Sequence, residues 1–302
     1  RGGAAPTPGP GRSGSGFSVV SHHAPELVAY YRIHGGAIGI QTKRGCPKKC
    51  CYCTYPLLEG DSVEYAEPGQ VVDDMERLAR DFAVPYFFMT DSVFNLCAER
   101  ELALAAEIRR RGLGVSWGAF FAPKNADRNY VRALKESGLM HAEFGTDSLS
   151  NAVLSAYGKD FSVADVLDTS AAFSSEGVFC AHYLAFGGPG ETRATIEETL
   201  TNVARLGRSI IFPFAGIRIY PGTRLFARAV ERNMVRSRGE CLKPVFYFED
   251  GLDATGIWEM IRGVESGDAR WVSPSEYAGF APIVRRLRER GASGPLWEYL
   301  LA

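Results

Sequence analysis

Residues 44–56 read Arg-Gly-Cys-Pro-Lys-Lys-Cys-Cys-Tyr-Cys-Thr-Tyr-Pro, so Cys46, Cys50, Cys51 and Cys53 fall within eight residues. Disulfide frameworks spread their cysteines to staple distant segments. Thiols crowded onto one loop favour a metal and a reducing compartment instead. Cys46, Cys50 and Cys53 follow the spacing C-x3-C-x2-C. Structural zinc takes four ligands, commonly as two pairs far apart in sequence, whereas Cys97, Cys180 and Cys241 each stand alone. A [4Fe–4S] cluster on three thiolates leaves one iron without a protein ligand, which is useful where a small molecule must be held. A structural zinc or a redox Cys-x-x-Cys is the competing reading. Cys51 enters a ligand set only through a C-x4-C-x-C spacing and reads as a bystander.

Around this loop, short apolar runs alternate with amphipathic stretches. AIGIQT (37–42) reads as a strand that runs into the loop, and PGQVVDDMERLARDF (68–82) as a helix entered at Pro68. Further strands are expected at 85–91, 115–121, 141–147, 179–186 and 210–220, with helices at 98–112, 127–138, 162–176 and 193–206. Strand–helix units repeating every ~25–40 residues are the rhythm of a parallel barrel or a doubly wound sheet. Each unusual cluster follows a strand: the cysteines, then Thr90-Asp91-Ser92, GTDS (145–148), GGPGE (187–191) and RIYPGT (218–223). In parallel α/β architectures that is the face where active sites form.

Composition sets the bounds. The 302 residues suffice for one large α/β domain or two small ones, and 46% hydrophobic with 23% charged residues is ordinary for a globular chain. A net charge of −1 marks no dedicated nucleic-acid binder. No apolar run reaches the ~20 residues of a membrane span, and no signal peptide stands at the start, so the expected location is the cytoplasm. Residues 1–16, RGGAAPTPGPGRSGSG, have the composition of a linker. With Arg1 leading, they predict a chain taken from a longer protein.

The three spaced cysteines, with Tyr52 before the last of them, resemble the radical S-adenosylmethionine (radical SAM) superfamily. The likeness runs over residues 36–235. It implies an α/β fold, a partial (β/α)6 TIM-like barrel, with a [4Fe–4S] cluster on Cys46, Cys50 and Cys53. It implies that the methionine amine and carboxylate of S-adenosylmethionine chelate the fourth iron. Reductive cleavage would then give a 5′-deoxyadenosyl radical that removes hydrogen from a substrate, with an electron donor such as flavodoxin or ferredoxin.

Site roles follow from the same resemblance. The backbone at Tyr52 faces the adenine. Thr90 and Asp91 receive the methionine amine, where the family often has Gly-Gly-Glu. Asp147 and Ser148 contact ribose or the amino acid. Gly187 and Gly188 let the backbone approach the adenosine, Phe186 packs on the adenine, and Arg218 pairs with the methionine carboxylate or the substrate. Local chemistry offers other readings. Ser92 and Ser148 suit helix caps. GGPGE suits a turn into a helix capped by Glu191 and Thr192. Arg218 suits a structural ion pair. His141 and His182 suit buried strand histidines, and Trp117, Phe120 and Phe121 suit the core.

A narrower likeness, carried by GGAIGIQTKRGCPKKCCYCTYPLLEG, FFMTDSVFN, FGTDSLS, GGPGET, RIYPGT, VFYFED and GPLWEYL, is to the branch usually associated with a cobalamin-binding domain. Members often transfer methyl groups to unactivated carbon; others close rings or rearrange carbon skeletons without cobalamin. A non-catalytic Fe–S barrel is the third alternative. The branch's Asp-x-His-x-x-Gly motif is missing, and HHAPEL at His22 and His23 does not match it. Cobalamin is therefore implied conditionally, on a domain upstream of the linker or on a separate chain. Nothing in the sequence separates a lipid-like substrate from a peptide, sugar or natural-product intermediate.

The expected division is linker and lead-in over 1–35, barrel over 36–235, and an α-rich C-terminal extension over 236–302. That extension carries an amphipathic helix near 276–290, with Arg285, Arg286, Arg288 and Arg290 on a solvated face. Trp258, Trp271 and Trp297 are expected to cap the barrel.

Overall fold

Six strands stand side by side in sequence order, each parallel to the next: β1 Ile38–Ile40, β2 Tyr86–Met89, β3 Ser116–Phe121, β4 Leu139–Asp147, β5 Phe179–Phe186 and β6 Ser209–Ala215. The structure, a computed structural model, describes residues 24–265, 268 and 270–301. The Gly/Pro-rich start and His22–His23 lie outside the described residues. β1 and β6 do not pair among the described residues, so the sheet is a partial, open barrel. A parallel sheet in sequence order is what alternating strand–helix units produce.

Alternation along each strand decides what faces where. Phe87, Met89, Ala119, Phe121, Ala142 and Phe144 pack outward, in one core cluster with Met75, Leu78, Leu104, Val131 and Phe173 of the surrounding helices. The intervening residues, among them Phe88, Phe120, Glu143 and Tyr183, face the lumen. The helices between strands are Pro68–Phe82, Ala98–Arg111, Arg128–Glu136, Val163–Ser175 and Arg193–Val203. Asp127 caps one of them, and Ser162 and Thr192 begin capping boxes.

Three features depart from the sequence reading. Residues Pro25–His34 of the expected flexible lead-in form a helix, begun by Pro25 and seated through the buried Val28. Asn151–Tyr157 forms an additional helix after β4. The expected single strand 210–220 is two: β6 ends at Ala215, and Ile217–Arg218 pairs antiparallel with Phe246–Tyr247.

The C-terminal region runs along the open flank. The backbone of Ile211 in β6 exchanges hydrogen bonds with Arg270 and Val272 (2.8 and 2.9 Å), and Gly294 N–H donates to Gly36 O ahead of β1 (2.8 Å). Trp297 packs with Ala181, Ile210, Phe212 and Val272, and its indole N–H donates to Glu143 (3.2 Å). Trp271 lies beside β6, and Trp258 packs outside the barrel near Ile257 and Ile261. Of the three expected capping tryptophans, Trp297 is the one whose ring meets the lumen floor. No helix among the described residues is long and apolar enough to cross a membrane.

Candidate active site

The cysteine loop is pinned from four sides. Before it, Lys43–Arg44 pairs antiparallel with Glu64–Tyr65. Gly45 has φ +88°, and a Cβ there would lie 1.9 Å from Ser62 O, so no side chain fits. Cys46 N–H donates to Gly60 O (3.0 Å). In the middle, Cys51 N–H donates to Tyr157 O and Leu225 N–H donates to Cys51 O, both at 2.8 Å. Arg224 also donates to Lys49 O. Two distant helices thus fix a loop that has little regular structure of its own.

Cys46, Cys50 and Cys53 line one cavity of about 340 Å³, with Tyr52, Ser92, Phe120, Gly145, Lys159 and Phe161 among its other walls. None of the three is in a disulfide. Burial pushes the Cys50 and Cys53 thiols up, and Cys46 and Cys53 near Cys50 add to this, as mutual proximity of three sulfurs requires. No three His, Cys, Asp or Glu side chains among the described residues close around a single ion. A cubane cluster needs no such convergence, because each thiolate binds a different iron. The donor set of three thiols on one cavity therefore fits a [4Fe–4S] cluster better than zinc. Cys51 points elsewhere: it is buried among Val153, Tyr157, Ile217 and Leu225, and burial pushes its thiol up to about 11.

One polar group beside the cysteines joins residues far apart in the chain. Tyr52 donates its hydroxyl to Asp147, and Lys159 Nζ lies 2.6 Å from the same carboxylate. The Lys159 ammonium also reaches Tyr52 Oη (3.1 Å) and Gly145 O (3.3 Å). Burial alone would lower the Lys159 pKa; Asp147, Tyr52 and Cys50 outweigh it and raise it well above the ordinary value. Burial, then Asp147, drives the Tyr52 phenol well above its usual range. Asp147 has φ +61°, a left-handed conformation uncommon away from glycine. It turns the carboxylate back toward the cysteine loop. Lys159 was absent from the sequence-derived candidates, since a lysine between Gly158 and Asp160 carries no motif.

Several expected roles meet other partners in the structure. Asp91 is 1% exposed. Its carboxylate accepts from Thr42 N (2.8 Å), Thr42 Oγ1 (2.5 Å), Lys43 N (3.1 Å) and Lys43 Nζ (3.2 Å). With those acceptor sites used, Asp91 anchors the entry to the cysteine loop rather than presenting a free carboxylate. Thr90 is exposed, its hydroxyl 3.3 Å from Ile40 O. Ser148 is buried against Thr199 (3.0 Å) and accepts from Ser150 N, which makes it a turn former. Phe186 lies in the outer core with Leu184, Ile196 and Ile257, not on an adenine surface.

At the end of β5, Gly187 N–H donates to Glu191 and Gly188 N–H to Tyr157 Oη (3.0 Å). A Cβ on Gly188 would lie 2.2 Å from that hydroxyl, so Tyr157 is what excludes a side chain there. Thr192 does cap the next helix, but with Thr195; Glu191 turns back to the glycines. Burial pushes the Glu191 carboxyl up to about 7. Arg218 stacks over Tyr220 (4.8 Å) and its Nε has no hydrogen-bond partner among the described residues. His182 is buried between Thr146 (2.8 Å) and Ser170 (3.1 Å), and burial lowers its pKa to about 3. Trp117 is core; Phe121 is buried in the core and also borders the cavity, beside Phe120, which is 39% exposed.

A profile of the radical SAM superfamily matches residues 40–203, from β1 through the helix after β5. The chain belongs to the radical SAM superfamily. Its cysteine loop is thus the segment that in this superfamily carries a [4Fe–4S] cluster used with S-adenosylmethionine. An uncharacterized methyltransferase of Pyrococcus horikoshii is 26% identical over 209 residues, covering 68% of this chain and 45% of that protein. The anaerobic magnesium-protoporphyrin IX monomethyl ester cyclase of Cereibacter sphaeroides is 26% identical over 160 residues, covering 52% of this chain and 26% of that protein. This radical SAM chain therefore spans less than half the length of these curated relatives. The fold is shared with a radical S-adenosylmethionine methyltransferase from Kitasatospora setae, solved with cobalamin and a [4Fe–4S] cluster. The TM-score is 0.80 at 22% identity, covering 94% of this chain and 62% of that one.

Proposed function

We propose that the chain is the catalytic barrel of a radical SAM C-methyltransferase that uses cobalamin held by a domain outside these residues. The observation that carries the reading is three free cysteines at C-x3-C-x2-C spacing on one cavity at the C-terminal ends of the strands. Methyl transfer is supported by the methyltransferase relative and by the shared fold. The cluster and S-adenosylmethionine, when bound, supply one-electron cleavage of the sulfonium.

The chain's own residues do the rest. Cys46, Cys50 and Cys53 hold the cluster. Tyr52, Gly145 and Lys159 form the wall nearest it, with Asp147 fixing the Tyr52 and Lys159 side chains. Phe120, Phe121 and Phe161 exclude water from the cavity, as a reactive carbon radical requires. Thr90 remains the candidate for the methionine amine, through its hydroxyl or carbonyl, and Arg218, with a buried unpaired N–H, for a carboxylate. The cyclase relative favours a second reading, ring closure without methyl transfer.

The test is anaerobic reconstitution of the full-length protein with iron and sulfide, reduction with dithionite, and chromatography for 5′-deoxyadenosine. Product from the parent and none from the Cys46→Ala, Cys50→Ala, Cys53→Ala variant is the expected result. A well-formed cluster that never consumes S-adenosylmethionine would overturn it. Hydroxocobalamin titration separates the two readings: no binding by the full-length protein favours ring closure.

A further inference from the structure

The barrel lumen holds a wall of aromatic rings that the cluster chemistry leaves unexplained. Phe88 and Phe120 meet edge to face with centroids 5.0 Å apart, and Phe120 lies 6.4 Å from Tyr183. Tyr183 is nearly coplanar in tilt with Phe212 (5.1 Å, 19°) and Phe214 (6.2 Å, 20°). These rings come from β2, β3, β5 and β6, so only the assembled sheet brings them together. Phe120 is 39% and Phe214 42% exposed, although interior-facing barrel residues are ordinarily filled against one another. Phe120 is also a wall of the cavity that carries the three cysteines. Partly exposed rings continuing from the edge of that cavity mark a place where an apolar surface is meant to be covered.

A carboxylate sits at the base of this wall. Glu143 is 6% exposed and held only by neutral donors, the Tyr183 hydroxyl (2.7 Å) and the Trp297 indole (3.2 Å). No lysine or arginine pairs with it among the described residues. Each oxygen takes one of these donors and keeps acceptor capacity. An apolar wall with one buried acceptor is the arrangement that discriminates strongly for a ligand bearing a matching donor, because a ligand without it leaves the acceptor unpaired.

We propose that the lumen binds a flat aromatic or conjugated ring substrate carrying an N–H donor, its faces against Phe88, Phe120, Tyr183 and Phe214 and its donor directed to Glu143. This rests on the reading of the adjoining cavity as the radical site and adds the substrate class to it.

Indole and 1-methylindole are the probes, titrated calorimetrically into the cluster-loaded full-length protein with S-adenosylmethionine present. Indole is expected to bind roughly tenfold or more tightly than 1-methylindole, the cost of leaving a buried acceptor unpaired. Phe214→Ala, at an exposed position, should weaken both probes. Tyr183→Phe keeps the ring but releases Glu143, and should shrink the preference between the probes to less than about threefold. Absence of indole binding, equal binding of the two probes, or indifference to Phe214→Ala would overturn the proposal. Deoxyadenosine formation is followed in the same preparation. If it persists while indole fails, the substrate class falls alone; if it is absent while indole binds with the expected preference, the radical reading falls and the ring site stands.

Discussion

Two strand ends carry the same three letters and use them differently. Thr90-Asp91-Ser92 follows β2, and Thr146-Asp147-Ser148 closes β4. At β2 the aspartate turns into the protein, where Lys43 and the backbone of Thr42 saturate it. At β4 the aspartate takes a left-handed conformation and turns to Tyr52 and Lys159, two walls of the cysteine cavity. One carboxylate builds the entry to the cysteine loop; the other fixes two side chains that line the cysteine cavity. A shared tripeptide thus says little about role until the neighbouring strand supplies the partner.

The sharpest way to break this contrast is Asp91→Ala. Lys43 is 1% exposed and would be left as an uncompensated buried charge, so stability should fall by about 3–5 kcal/mol. Denaturant unfolding measures it, and a loss below ~1 kcal/mol would dissolve the distinction. A third strand end, at β5, sharpens it through pH. Glu191 has its carboxyl raised to about 7 by burial, so the folded state favours the protonated form. Its contribution is present below the unfolded pKa and is lost as pH rises through the folded one. Relative to Glu191→Gln, the wild type should lose roughly 3 kcal/mol between pH 4 and pH 8. A pH-independent difference would show that this carboxyl is not held as described.

Asp147→Asn tests the other side of the comparison. Iron content should be unchanged, while S-adenosylmethionine binding weakens roughly tenfold, about 1.4 kcal/mol, because Lys159 and Tyr52 lose their common anchor. Unchanged affinity by equilibrium dialysis would return Asp147 to a purely architectural part. The smallest effect is expected from Cys51→Ala, which removes one buried sulfur from an apolar cluster. A loss of about 1 kcal/mol with full cluster content is expected; loss of iron would make Cys51 a ligand.

The alternating elements were legible because their signals are local. Strand and helix periodicities lie within about ten residues, and Pro68, Asp127, Ser162 and Thr192 begin helices by chemistry that reaches only three residues on. The break after Ala215 was not legible, since Ile217–Arg218 pairs with a strand some thirty residues later. The partners of Asp91, Ser148 and Phe186 were not legible for a related reason. Alternation says that a residue faces one side of a strand, not which side is lumen, and it names no partner. Lys159 was missed because its significance is a contact with Tyr52, 107 residues away.

By itself the sequence determined that four cysteines share one short loop, three of them at C-x3-C-x2-C spacing, that parallel strand–helix units carry it, and that every polar or glycine-rich cluster stands at a strand's C-terminal end. Spacing and periodicity are properties of neighbours along the chain, and they survive any arrangement of the rest. Tertiary structure alone decided which aspartate contacts two walls of the cavity, which of the four thiols packs away from it, and that rings from four strands meet beside Glu143. Those outcomes depend on pairing segments that the chain keeps far apart, and only the assembled sheet brings their side chains within reach of a hydrogen bond or a ring contact.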